Sequence, residues 1–168
     1  MITPEYVRTM ARYNRWQNES LYKAAGRLDD AARRLDRGAF FGSIHATLNH
    51  LLWGDQIWVH RFSGSPPPQA TGIPASATMI DDWETLASER TRFDSVIVDW
   101  AAAVRDEDLA GDLTWFSGGL NREVTRPRGL LVTHMFNHQT HHRGQTHAML
   151  TAAGVKPTDT DLPFMHAG

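Results

Sequence analysis

Five of the nine histidines fall within fourteen residues near the C-terminal end of the chain: His134, His138, His141, His142 and His147. Each residue of an α-helix advances by about 100°, so residues four apart lie only about 40° from each other around the axis. On a helix, His134, His138 and His142 would therefore form one row, with His147 on the opposite side. Imidazoles at this spacing can offer two nitrogens to one metal ion. The segment thus predicts a metal site on a helix.

A third ligand is needed, because catalytic metal ions commonly bind three protein side chains and keep one position open. The candidates are the histidines of an upstream segment that is predicted to be helical: His45, His50 and His60. His45 and His50 differ by about 140° around a helix axis, so both are not expected to reach the same ion. Periodicity alone leaves the choice of the third ligand open.

A single histidine on a helix is more often a hydrogen-bonded core or surface residue than a ligand. His60, His147 and His166 are interpreted in this way. The row is different, since neighbouring buried imidazoles would repel one another if protonated and would each need a partner if neutral. One divalent cation would satisfy several of these nitrogens at once.

Four long helices are predicted to position these residues, with approximate spans 4–25, 43–63, 82–104 and 127–153. The expected N-terminal caps are Thr3, Ser43 and one of Asp81 and Asp82, and Pro127 is expected to begin the last helix. Gly154 is its expected C-terminal cap. The second helix is apolar on both sides, which predicts a central position in a bundle and a buried His50.

Shorter elements are expected between the long helices. Residues 28–36 are predicted to form a helical turn capped by Asp29 or Asp30, residues 69–78 a polar loop, and residues 106–111 the end of the third helix. Residues 113–116 and 123–125 flank Ser-Gly-Gly-Leu-Asn, which predicts a small β-hairpin that must lie against helices to be stable. The predicted fold class is therefore all-α, a four-helix bundle with a small β-hairpin before the last helix, in one domain over 1–168.

Composition excludes several classes of protein. The formal charge is −2 with no long basic run, which argues against nucleic-acid binding. Cysteine is absent, so neither a disulfide nor a thiolate metal site is available. No apolar run approaches the roughly 18 residues of a membrane span, and the N-terminus does not resemble a signal peptide. A cytoplasmic location without membrane association is the expectation.

Three segments resemble the DinB-like family of metal-dependent proteins. Residues 137–145, Asn-His-Gln-Thr-His-His-Arg-Gly-Gln, match the HxxxHRGQ pattern of that family's last helix. Tyr13-Asn-Arg-Trp16 and the stretch 43–55 match its first and second helices. The three segments stand in the family's order and spacing, and the resemblance covers most of the chain.

The resemblance implies an up-down-down-up four-helix bundle, often a homodimer, with one divalent metal ion held by three histidines. His50, His138 and His142 stand at the family's ligand positions. The resemblance thus selects His50 over His45, which periodicity did not.

The remaining residues of the histidine-rich segment are expected to surround the ligands. His141 does not stand at a ligand position of the family pattern, and His134 and His141 become neighbours that shape the site. Gln145 lies one turn beyond His142 and is expected to orient a ligand or the bound molecule.

Ligation by nitrogen alone suits zinc, nickel, copper, cobalt or iron, with zinc favoured by availability and nickel the next choice. Because imidazoles must be unprotonated to bind, metal loss is expected below a pH of about 6. Three neutral ligands leave the charge of the ion uncompensated, which favours an anionic fourth ligand such as hydroxide or a thiolate.

The resemblance extends to function, since the family includes transferases and isomerases that use low-molecular-weight thiols. A metal-dependent thiol S-transferase is therefore the first hypothesis, with a low-molecular-weight thiol as partner and catalytic residues unassigned. Metal-dependent hydrolysis is an alternative, but no proton shuttle is evident near the histidine row. A metal-binding stress or interaction protein without catalysis is the third hypothesis.

Overall fold

The computed structural model describes residues 2–165. Within this range it contains four long and three short helices: α1 Pro4–Ala25, α2 Asp30–Arg34, α3 Ile44–Ser63, α4 Ile73–Ser76, α5 Trp83–Ala103, α6 Asp106–Leu109 and α7 Arg128–Ala152. An antiparallel hairpin of β1 Asp112–Ser117 and β2 Arg122–Pro127 precedes α7, and a 3-10 turn occupies Leu162–Phe164. The predicted fold class, a helical bundle with a small hairpin before the last helix, is confirmed.

The four long helices surround one apolar core. α1 packs against α5 and α7, and α3 packs against the same two helices, so α1 and α3 occupy opposite corners of the bundle. The core residues Leu48, Leu52, Ile97, Met135 and Phe136 are all at most 1% exposed. Twelve of the twenty residues of α3 are buried, as expected for a central helix.

The predicted caps set most helix ends. The side chains of Thr3, Ser43 and Asp82 each accept a hydrogen bond from a backbone N–H in the first turn of α1, α3 and α5. Asp29 caps α2 in the same way. Gly154 follows α7 with a φ of 81°, a left-handed conformation that glycine adopts without steric penalty.

Three predicted boundaries are wrong. Residues 106–111 do not end the third helix, because α5 ends at Ala103 and Asp106–Leu109 forms the separate turn α6. Pro127 does not begin α7, because it is the last residue of β2, where it pairs with Asp112 in an extended conformation. The segment 69–78 is not entirely loop, since Ile73–Ser76 forms the single helical turn α4. Pro74 lies in the first turn of α4. Proline is tolerated there because a backbone N–H at this position would have no acceptor within the helix. α4 positions the buried Ser76 next to His50.

The hairpin lies against the bundle, as the marginal stability of two strands requires. The ring of Trp115 in β1 meets the edge of Trp58 in α3 with 5.6 Å between centroids. The guanidinium of Arg61 lies 4.6 Å from the centroid of Trp58 and 5.4 Å from that of Trp115. These contacts anchor β1 to the surface of α3.

The segment after α7 runs back along α1. Thr158 donates its backbone N–H to Ser20 Oγ at 2.9 Å, and Gln17 Nε2 donates to the Asp159 carbonyl at 2.9 Å. The Tyr13 hydroxyl donates to the Thr160 carbonyl at 2.6 Å. Across residues 2–165, none of the helices has the length and apolarity that a membrane crossing needs.

Candidate metal centre

Three histidines from two facing helices meet inside the bundle. His50 of α3 and His138 and His142 of α7 each offer one ring nitrogen, and these nitrogens all lie within 4.8 Å of one another. The Nε2 atoms of His50 and His138 are 3.0 Å apart. His50 is 3% exposed and His142 is 7% exposed. Over residues 2–165, no aspartate or glutamate joins this group.

Hydrogen bonds at the outer ring nitrogens orient two of the three imidazoles. Ser76 donates its hydroxyl hydrogen to the Ile73 carbonyl at 2.6 Å, so its oxygen accepts from His50 Nδ1–H at 2.7 Å. His142 Nδ1 lies 2.7 Å from Gln145 Oε1, to which it donates. With the hydrogen on Nδ1, the lone pair of each Nε2 is free to face the cluster.

The third imidazole is positioned by a glycine. A Cβ atom at Gly54 would lie 2.9 Å from Cε1 and 3.2 Å from Nδ1 of His138. Such a contact is shorter than side chains tolerate, so only glycine at this position of α3 lets the His138 ring lie flush against the helix backbone.

Aromatic rings cover His50. The ring of Phe41 stacks on His50 with 4.0 Å between centroids, and that of Trp53 stacks with 5.6 Å. Phe41 also lies 5.4 Å from His142. The Trp53 indole N–H donates to the Ala70 carbonyl at 2.8 Å, which fixes its ring. The cluster is therefore shielded from water on the α3 side.

Burial keeps the cluster uncharged. It lowers the pKa of His138 to about 3, with repulsion from the neighbouring histidines adding to the effect. Burial, followed by the charge of His142, lowers the pKa of His50 to about 4. Burial also lowers the pKa of His142. At neutral pH these imidazoles are unprotonated and can offer nitrogen lone pairs to a shared cation, so the donor set fits a divalent metal ion.

The other histidines take no part in this group. His134 is exposed, with its ring 5.2 Å from Trp58 and 5.9 Å from His138. His141 is exposed beside His142, with 4.8 Å between ring centroids. Supporting roles for His134 and His141 stay predictions, whereas Gln145 has the contact with His142 that such a role requires.

His45, His60 and His147 lie away from the cluster. His45 Nε2 bonds to the Ile80 carbonyl at 3.0 Å, and His60 Nδ1 bonds to the Ser65 carbonyl. His147 is half-buried on another face of α7. His166 lies outside the described residues.

Sequence reasoning missed three contributors to the centre, which are Phe41, Gly54 and Ser76. Phe41 and Ser76 lie on a turn and a one-turn helix that carry no periodic pattern. Gly54 did carry a signal, because glycine inside a long helix is unfavourable by about 1 kcal/mol relative to alanine and so indicates a close approach.

Facing helices of a bundle that hold three histidines around one point define the class of the protein, a helical-bundle protein with a candidate metal site. The chain matches the model of the DinB family over residues 1–168 and belongs to that family.

The chain is also similar to one curated protein and to one solved structure. It is 20% identical over 157 residues to Protein DinB of Bacillus subtilis (strain 168), a match that covers 94% of this chain and 91% of the relative. Its fold matches the crystal structure of a DinB-like protein from Bacillus cereus ATCC 10987 with a TM-score of 0.62 and 17% identity, over 86% of this chain and 90% of the other.

Proposed function

We propose that the protein binds one divalent metal ion, with zinc first and nickel second, through His50, His138 and His142. We propose further that it activates a low-molecular-weight thiol for transfer of its sulfur to an electrophilic substrate. The observation that carries this proposal is the convergence of three neutral imidazole nitrogens within 4.8 Å without a carboxylate among the described residues.

The charge of such a site favours a thiolate. Three neutral ligands would leave a divalent ion with its full charge, and a metal ion of this kind lowers the pKa of a bound thiol, whose free value is about 8.5. In the transfer, a carbon–sulfur bond to the electrophile would form as the leaving group departs. The proton of the thiol would be released to solvent.

The chain's own residues would prepare the site rather than react. Ser76 and Gln145 hold the imidazoles of His50 and His142 with their Nε2 atoms towards the cluster. Phe41 and Trp53 keep water from the ring of His50. Burial keeps the ligands unprotonated, so metal binding at neutral pH needs no release of protons from them.

Hydrolysis is the weaker candidate. It requires a base that accepts a proton from water, and no carboxylate in residues 2–165 joins the three histidines. A protein that binds metal without catalysis remains the contrasting hypothesis. An enzyme and a non-catalytic metal-binding protein differ at the fourth coordination position of the metal. This position is open in an enzyme and is closed by a protein ligand in a structural site.

The first test is elemental analysis of protein purified without a polyhistidine tag. We expect about one equivalent of metal in the wild type and loss of the metal in His50→Gln, with the fold checked by circular dichroism. His45→Gln is the matched control, because His45 is equally buried on the same helix but bonds to Ile80. Full metal content in His50→Gln would refute the ligand assignment.

The second test is calorimetry of the metal-loaded protein with glutathione, mycothiol and bacillithiol. We expect one of these thiols to bind the metal-loaded protein and not the metal-free protein. If none binds, the transferase proposal fails while the metal site stands.

A screen of esters, amides and lactones for metal-dependent turnover tests hydrolysis separately. The homodimer stays a prediction, and sedimentation velocity tests it.

A further inference from the structure

A cavity lies between α1, α7 and the segment that follows α7. Its volume is about 360 Å³, within the range of about 300–1,000 Å³ that small-molecule sites occupy. Its lining includes Tyr13 and Gln17 of α1, Arg143 and His147 of α7, and Thr160. None of the three clustered histidines lines it, so this cavity is distinct from the candidate metal centre.

Arg143 brings a buried charge to this cavity without a carboxylate in direct contact. It is only 5% exposed, yet across residues 2–165 no carboxylate lies within 4.0 Å of its guanidinium. Its partners are neutral oxygens, those of Asn14, of Gln139 at 3.0 Å and of Thr140 at 3.4 Å. Buried arginines are ordinarily paired with anions, which makes this arrangement unusual.

Two of the five N–H groups of this guanidinium have no acceptor among the described residues. Among the described residues, Arg143 Nε has no hydrogen-bond acceptor, and both Nη atoms are engaged only by the three neutral oxygens. The Nε atom of Arg90 is also unpaired but is sealed from solvent, whereas that of Arg143 is not. Because Arg143 lines the cavity, its free N–H opens onto that space.

The charge of the cavity wall is positive. Burial lowers the pKa of Arg143 to about 10, which still leaves the guanidinium protonated at neutral pH. Among the described residues, no aspartate or glutamate belongs to the lining. The carboxylates of Asp55 and Asp94 favour the charged guanidinium from within the bundle, but neither lines the cavity, so an anion there would meet the guanidinium with no carboxylate among the lining residues.

We propose that this cavity binds a small monocarboxylate with an apolar body. A carboxylate matches the fork of a guanidinium, is opposite to it in charge and would accept from the free Nε–H. Leu21, Ala148 and the ring of Tyr13 supply apolar surface for the rest of the molecule. A doubly charged phosphate would need more donors than this wall offers.

The direct test follows the Nε–H resonance of Arg143 by nuclear magnetic resonance during titration with sodium benzoate, with sodium chloride at equal ionic strength as the reference. We expect a saturable shift with benzoate, of equal size in metal-loaded and metal-free protein. The absence of a saturable shift in both forms overturns the proposal. Binding that requires the metal also overturns it, because the carboxylate would then bind at the histidine cluster.

A matched pair of variants localises the binding. Thr140 Oγ1 lies 3.4 Å from Arg143 Nη2, so the carboxylate of Thr140→Glu can pair with the guanidinium and replace the ligand. We expect benzoate affinity to fall by about tenfold or more in this variant, with a higher thermal midpoint in the absence of benzoate. Asn137→Glu adds the same charge at an exposed position of α7 outside the cavity and should bind benzoate like the wild type. Unchanged affinity in Thr140→Glu contradicts the proposal.

Discussion

At the scale of single residues, the candidate metal centre depends on atoms that do not touch the metal position. Ser76 is fully buried, and its hydroxyl links His50 Nδ1 to the Ile73 carbonyl. The link sets which nitrogen of His50 carries the hydrogen, and therefore which nitrogen can bind a metal.

Ser76→Ala should weaken metal affinity by about 10- to 100-fold, the usual effect of removing an outer partner of a ligating histidine. Competition with a chelating dye measures it. Ser63→Ala is the control, because Ser63 also donates to a backbone carbonyl but at the far end of α3. Equal affinities in the two variants would mean that Ser76 does not orient His50.

The pKa shifts of the clustered histidines predict how pH acts on the metal-free protein. The folded pKa of His138 is about 3, below the ordinary 6.5, so the unfolded chain takes up its proton first as pH falls. His138 therefore leaves stability unaffected above pH 6.5 and lowers it progressively between 6.5 and 3.

The measurement is urea unfolding of metal-free wild type and His138→Gln between pH 7 and pH 4.5. The wild type should lose about 2 kcal/mol of unfolding free energy relative to the variant over this range, because only the wild type carries the protonation penalty. A difference in unfolding free energy between the two proteins that does not change with pH would contradict the low pKa.

The low pKa of His138 also affects metal binding. Protons should compete with the metal for His138 only at a pH below the value of about 6 that is expected for an ordinary imidazole.

At the scale of elements, the approach of α3 to α7 is set by Gly54. Gly54→Ala should push His138 away from the cluster, so metal affinity should fall although the helix-forming tendency of α3 rises. Gly144→Ala makes the same change on α7, where a Cβ atom would meet nothing within 4 Å. It should keep its metal and gain up to about 1 kcal/mol of stability.

Metal titration and thermal unfolding of both variants check this prediction. Equal metal affinity in Gly54→Ala and Gly144→Ala would show that His138 does not need the glycine.

The sequence predicted these elements well where local chemistry decides them. Helix caps, such as those at Thr3, Ser43 and Asp82, act within one helix. Apolar residues that recur every three or four positions also act within one helix. Both can therefore be recognised without knowing the fold. Contacts between different elements could not be predicted from the sequence. The bond of Ser76 to His50 joins residues 26 apart in the chain, and no local pattern encodes it.

At the scale of the whole molecule, a buried ionic network joins three of the four long helices. Arg90 of α5 lies 2.6 Å from Asp55 of α3 and 2.9 Å from Asp94, which accepts from Asn18 of α1 at 2.8 Å. All three charged side chains are at most 3% exposed. The three- and four-residue spacing of Leu86, Arg90 and Phe93 predicts that Arg90 lies on the inner face of α5, but it does not identify the partners of Arg90.

Arg90→Ala should lower the free energy of unfolding by about 3–5 kcal/mol, because it leaves two carboxylates buried without their cation. Arg92→Ala, two residues along α5, removes a surface pair with Glu89 and should change stability by about 0.5 kcal/mol or less. Chemical denaturation of both variants measures the contrast. Similar losses of unfolding free energy in the two variants would contradict a stabilising role of the network.

The stacking of Trp53 on His50 also gives the protein an optical reporter. The indole is held by its bond to Ala70 and lies 5.6 Å from an imidazole whose electronic state changes when it gains a ligand or a proton. Among the six tryptophans, Trp53 stacks directly on a clustered histidine. Its fluorescence should therefore follow occupancy of the centre in real time, and Trp53→Phe should silence that signal while leaving the other five emitters unchanged.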